Sequence, residues 1–199
     1  MGVSLGGHST WHCLMQDARI TAGIVVIGCP DYRRLMIQRA SKTKLETWTS
    51  SGGRDFFGSK DFPKGLVEAV EKYDPAGLLL GELDTAVGQD GSYEPNKQEQ
   101  TRIKPLLRDS LGGKRVMCIS GGADKLVPYS ESKPFLGWLK SAIKKDAWAG
   151  DLNIVLEDVV DEKAGHEFNP RMQDEAVRFV CETLAGEGGL RMGSRSSKI

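Results

Sequence analysis

The stretch that most limits what this chain can fold into is Gly2-Val3-Ser4-Leu5-Gly6-Gly7-His8, read as G-x-S-x-G with one further glycine. A helix is predicted directly behind it, from Ser9 to about Ala18. In such an elbow the serine sits on a strained turn where a strand passes straight into a helix. Glycines stand two residues to either side because a Cβ there would collide with the neighbouring strand and helix. The turn lifts the hydroxyl clear of the sheet, and the helix N-terminus behind it favours negative charge. With 24 glycines in 199 residues the heptapeptide by itself also fits a Gly/Ser-rich flexible start. The downstream sequence has to decide.

The length suits one domain with a substantial core. Lys+Arg and Asp+Glu both number 27, so no global field favours nucleic acid or an anionic membrane. Cys13, Cys29, Cys118 and Cys181 form no C-x-x-C pair and fall in apolar runs, so they read as reduced core residues of an intracellular, cytoplasmic protein. There is no signal-peptide pattern and no apolar run of membrane-spanning length.

Two stretches have the composition of strands buried on both faces: Ile24-Val25-Val26-Ile27, stopped by Cys29-Pro30-Asp31, and Lys114 to Ser120. Asp151 to Val160 is a third, mixed in pattern and therefore nearer an edge. Between the first two, residues 31–113 are polar and interrupted. Helices are predicted there over Tyr32–Ala40, Pro63–Tyr73 and Gln98–Leu111, with Asp74-Pro75 ending the second and Gly112-Gly113 the third. This region reads as a helical cap over a site, or as ordinary connecting helices. Ser130–Lys145 and Pro170–Leu184 complete the helices, the latter with Met172, Ala176, Phe179, Val180 and Leu184 inward. Residues 186–199 read as a disordered Gly/Ser/Arg-rich tail.

The resulting order is elbow–helix, strand, insertion, strand–Asp124–helix, strand–His166–helix. Parallel strands joined by helices bring their C-terminal ends to one rim. Ser4, Asp124 and His166 each stand just after such an end, or after where one should be, and so are expected to meet. A serine hydroxyl becomes a competent nucleophile when an imidazole accepts its proton, and the imidazole needs a carboxylate to fix its tautomer. Asp31, Asp84, Asp158 and Asp161 are rival acids. His8 and His12 are four apart on a helix, but the intervening Ser9-Thr10-Trp11 lacks the glutamate of H-E-x-x-H and no third ligand is evident, so helix-surface or packing histidines are expected. Trp48, Phe56, Phe57 and Phe62 suit either an acyl pocket or a core.

The chain resembles the C-terminal part of an α/β-hydrolase, in particular fungal hydrolase-like proteins related to the prolyl-oligopeptidase and esterase branches. The residues that carry the resemblance are Gly2 to His8, Ser120-Gly121-Gly122-Ala123-Asp124-Lys125-Leu126-Val127-Pro128, and Ala164-Gly165-His166-Glu167. It covers roughly residues 1–185. What the resemblance implies is a triad of Ser4 as nucleophile, His166 as base and Asp124 as its orienting acid. The Leu5 N–H would serve as one oxyanion donor, and no cofactor or metal would be involved. The implied fold is a partial α/β-hydrolase of about three parallel strands with flanking helices and a cap, lacking the N-terminal strands. The implied substrate is a small carboxylic ester, or a peptide on a prolyl-oligopeptidase pattern.

The resemblance also has a gap. A complete hydrolase of this type places several strands, and a loop giving the second oxyanion amide, ahead of the elbow. Here three residues precede Ser4. The expectation is then that no strand leads into the elbow and that the apolar strand at Ile24 faces solvent along one edge, an aggregation hazard that invites self-association. On that alternative the chain is an inactive fragment, or a pseudoenzyme acting by partner binding.

Overall fold

The computed structural model describes residues 1–88 and 91–186, leaving aside the side chains of residues 82, 84 and 85. The expected tail from residue 187 onward and the side chain of Asp84 lie outside the described residues.

Four parallel strands form one sheet in the order β1-β2-β3-β4: β1 (Gly2–Val3), β2 (Ala22–Val26), β3 (Arg115–Gly121) and β4 (Val155–Asp161). The three expected strands are present, together with a two-residue strand ahead of the elbow. Gly2 pairs with Val25 and Val3 with Val26. β1 thus covers Val25 and Val26 on that side, whereas Ala22 to Ile24 have no strand partner there among the described residues; the side chains of Ile24 to Ile27 are at most 4% exposed.

Alternation along the strands divides the core between two faces. Val25, Val116 and Cys118 point to one face, against Trp11 and Leu14 of α1 (Leu5–Gln16) and against Phe135, Trp138 and Leu139 further along. Ile24, Val26, Met117 and Ile119 point to the other, against Met172, Ala176 and Phe179. Between β2 and β3 run α2 (Tyr32–Lys42), α3 (Glu46–Thr49), α4 (Lys64–Tyr73), α5 (Pro75–Leu79), a short 3-10 helix over Gly81–Ala86 and α6 (Lys97–Leu111). Then α7 (Tyr129–Ala142) joins β3 to β4, and α8 (Pro170–Ala185) closes the chain. Trp48, Phe56, Phe57 and Phe62 pack with Ala40 and Val70 into a small core within the inserted region.

Some expectations give way for local reasons. The third strand starts at Val155, because Gly150–Leu152 forms a 3-10 turn and Asn153 takes the left-handed conformation. On α8, Val180 and Leu184 are 45% and 83% exposed, since the sheet is met only by the Met172–Ala176–Phe179 stripe. Cys13 and Cys181 are exposed, whereas Cys29 and Cys118 are buried as expected.

The glycines of the elbow divide by contact. A Cβ on Gly2 would strike the backbone of Gly6, and one on Gly7 would stand 2.7 Å from the Val26 carbonyl oxygen and 2.9 Å from Gly28 Cα. A Cβ on Gly6 would meet nothing within 4 Å, contrary to what the motif suggests. Gly7→Ala is accordingly expected to cost about 1–3 kcal/mol by overpacking against backbone that cannot retreat. Gly6→Ala should be neutral or stabilising by up to about 1 kcal/mol, because alanine is the better helix residue. Urea denaturation of the two variants checks both signs.

Asp161 ends β4 by accepting hydrogen bonds from Asn169 Nδ2 at 3.2 Å and the Lys163 N–H at 3.1 Å. These donors, Asn169 first, hold its carboxyl below the ordinary value of 3.8. A depressed carboxyl contributes stability above its unfolded value and loses it as the pH falls through the folded one. Wild type and Asp161→Asn should therefore differ in stability at neutral pH and converge as the pH drops below 3.8, measured by denaturant titration at a series of acid pH values.

Candidate active site

Ser4 stands between β1 and α1 with φ 56° and ψ −117°. No L-residue adopts that backbone without strain, and non-glycine residues persist there only where their surroundings enforce it. Its own N–H extends the β1–β2 ladder to the Val26 carbonyl at 2.9 Å. Its carbonyl accepts from the N–H groups of Gly7 and His8 at 2.8 and 3.2 Å, which starts the helix. The turn is therefore fixed by a strand on one side and a helix on the other.

Ser4 Oγ lies 2.9 Å from His166 Nε2, and His166 Nδ1 lies 2.8 Å from Asp124 Oδ2. The Asp124 carboxylate is fully shielded from solvent, and its other oxygen accepts from the N–H groups of Leu126 and Val127 at 2.7 and 3.0 Å. A carboxylate so held accepts the Nδ1 proton of His166. Nε2 is then left with a lone pair facing the serine hydroxyl. The three residues lie far apart in sequence and meet on the rim as their strand-end positions predict.

The acid loop and the histidine loop are joined by backbone contacts. The Gly122 N–H donates to the Asp161 carbonyl at 2.8 Å and the Ala123 N–H to the Ala164 carbonyl at 2.9 Å. Gly121 must be glycine because a Cβ there would run into the carbonyl oxygens of Ala164 and Gly165. Leu5 follows the serine as the first helical residue. Its N–H has no hydrogen-bond acceptor among the described residues, and its side chain is 77% exposed.

The rival acids have other partners. Asp31 caps α2, accepting from the Arg34 N–H at 2.9 Å, with Arg34 Nε 3.2 Å from its second oxygen. Asp158 accepts from Tyr129 Oη and Lys140 Nζ at 2.8 and 2.7 Å. Asp161 fixes the start of the histidine loop as described above. His8 places Nδ1 against the Cys29 backbone, 3.0 Å from its carbonyl oxygen, and packs edge-on to Tyr32. Burial holds the His8 imidazole below its ordinary pKa. His12 Nε2 lies 3.9 Å from Asp74 Oδ1. Burial also pushes the Cys29 and Cys118 thiols well up, leaving both as neutral core groups.

One contribution was invisible to sequence reasoning. Arg39 of α2 donates from Nε and Nη2 to the Leu126 carbonyl at 3.1 and 2.6 Å, and Lys42 Nζ donates to the Lys125 carbonyl at 3.3 Å. Both cations bind the loop that holds Asp124. In the sequence they look like an ordinary solvated helix face.

No family model and no curated protein matches the chain. Solved structures do. The orthorhombic form of Pyrococcus horikoshii acylaminoacyl peptidase aligns with a TM-score of 0.50 and 15% identity over 97% of this chain and 24% of that one. An acylaminoacyl peptidase in complex with Z-Gly-Gly-Phe-chloromethyl ketone aligns with a TM-score of 0.50 and 15% identity, over 98% and 24%. An acetyl xylan esterase from a Thermoanaerobacterium species aligns with a TM-score of 0.40 and 18% identity, over 92% and 44%. The chain thus spans 24% of the length of the peptidases it matches. At these identities the likeness is one of fold: the sheet and its helices are part of an α/β-hydrolase fold.

Proposed function

We propose that the chain carries the nucleophile, acid and base of a serine hydrolase that cleaves carboxylic esters. Ser4 Oγ attacks the carbonyl carbon while His166 Nε2 takes the hydroxyl proton. Asp124 holds the imidazole in the right tautomer and stabilises its charged form. The Leu5 N–H, at the positive end of α1, donates to the oxyanion, a contribution worth about 10²–10³ in rate for one such donor. His166 then returns the proton to the leaving alkoxide. Water then attacks the acyl-serine while His166 takes its proton; as the bond from carbon to Ser4 Oγ breaks, His166 returns that proton to Oγ and the acid is released. The relay of 2.9 and 2.8 Å contacts is the observation that supports this reading best.

In the same reading, residues 31–113 act as a helical cap over the rim. The contacts of Arg39 and Lys42 with the Asp124 loop support that role. A second reading, a serine peptidase, is favoured by the acylaminoacyl peptidases whose fold the chain shares in part.

A fluorophosphonate probe should label the chain on the peptide containing Ser4, and Ser4→Ala should abolish the label without changing the far-ultraviolet circular dichroism. Labelling retained in Ser4→Ala would sink the assignment, and a folded wild type that takes no label would favour a binding role instead. Asp124→Asn should lower kcat on a p-nitrophenyl ester by about 10⁴ while leaving KM close to wild type, because geometry survives and the tautomer does not. Faster turnover of an N-acyl peptide anilide than of the ester would replace the esterase reading with the peptidase one.

A further inference from the structure

A cavity of about 440 Å³ lies between α1 and α4, within the range of ligand pockets. Its walls are largely apolar: Leu5 and His8 from α1, Tyr32 from α2, and Leu66, Ala69 and Tyr73 from α4. Its lining on α1 begins at Leu5, the residue after Ser4, and continues through Ser9 and His12 to Gln16.

The direction of attack decides which half of a substrate this cavity can hold. A leaving oxygen must face His166 Nε2, which supplies its proton. The carbonyl oxygen must face the Leu5 N–H. The remaining substituent of the carbonyl carbon is the acyl chain, which must leave on a side away from His166. Of the two histidines on the lining, His8 is engaged with the Cys29 backbone and burial disfavours its charged form, while His12 Nε2 lies 3.9 Å from Asp74 Oδ1.

On the reading that Ser4 is acylated, we propose that the α1–α4 cavity receives the acyl chain. The preferred substrates are then esters of medium-length apolar acids rather than acetates. Leu66, Ala69 and Tyr73 line the cavity from α4, and Tyr73 is 40% exposed.

The test compares kcat/KM on p-nitrophenyl octanoate and p-nitrophenyl acetate for the full chain, for Ala69→Trp and for Tyr73→Ala. Wild type should favour the octanoate. Ala69→Trp, which fills the cavity, should lower the octanoate value at least about 10-fold while the acetate value stays within about twofold, as expected for steric discrimination in an apolar pocket. Tyr73→Ala changes a half-exposed side chain and tests the same wall should the tryptophan variant fold poorly; it should shift preference toward still longer chains. Equal changes on both esters, or a wild type indifferent to chain length, would overturn the acyl-pocket assignment while Ser4-dependent acetate hydrolysis left the hydrolase reading standing. Absence of any Ser4-dependent hydrolysis would remove the hydrolase reading and the acyl pocket together.

Discussion

The rest of the site depends on one residue being held in a backbone conformation it would not choose. Ser4, at φ 56° and ψ −117°, carries a strain of order 1–3 kcal/mol that its surroundings must offset. They do so with ladder pairing before it and helical hydrogen bonds after it. Bringing α1 close enough to β2 for both requires bare backbone at Gly7 and Gly28, which approach each other too closely for side chains. A second departure lies alongside: Ile27, just after the residue that accepts the Ser4 N–H, is buried and has φ 54°. A β-branched residue at positive φ is rarer still than a serine. Its N–H bonds the Ile119 carbonyl at 2.8 Å, carrying the pairing with β3 one residue past the end of β2.

Much of the fold was legible because strands buried on both faces leave an unbroken apolar run, as at Ile24–Ile27 and Val116–Ile119. The two residues of β1 could not be read that way. They are a strand only through their pairing with Val25 and Val26, a tertiary fact that no local composition carries. Apolarity was also a poor guide to which face of α8 is covered: Val180 and Leu184 have the right chemistry and spacing, yet face outward. The meeting of residues 4, 124 and 166 followed from position, since each lies in the segment just after a parallel strand. The geometric need for glycine at position 6 did not follow, because no neighbour in the structure approaches it.

The helices inserted between β2 and β3 pack partly on one another. Phe56 and Phe62, both fully buried, give this region a core separate from the two on the sheet. Asp74 ends α4 and begins α5, and its carboxylate accepts from the Tyr32 N–H at 3.1 Å. A buried carboxylate thereby ties the start of α2 to the junction of α4 and α5. The wall facing α1 is consequently a packed unit rather than a set of loops, which is what a pocket of defined depth needs.

The stitching between the loops after β3 and β4 has a mechanical meaning. Asp124 and His166 ride on segments joined by the Gly122–Asp161 and Ala123–Ala164 backbone bonds, whereas Ser4 reaches them from another element through a single side-chain contact. Asp124 and His166 are thus carried by two loops stitched to each other. On the proposed reading, the joint of the relay is the serine–imidazole gap, where a small rocking of α1 would change the distance a proton must travel.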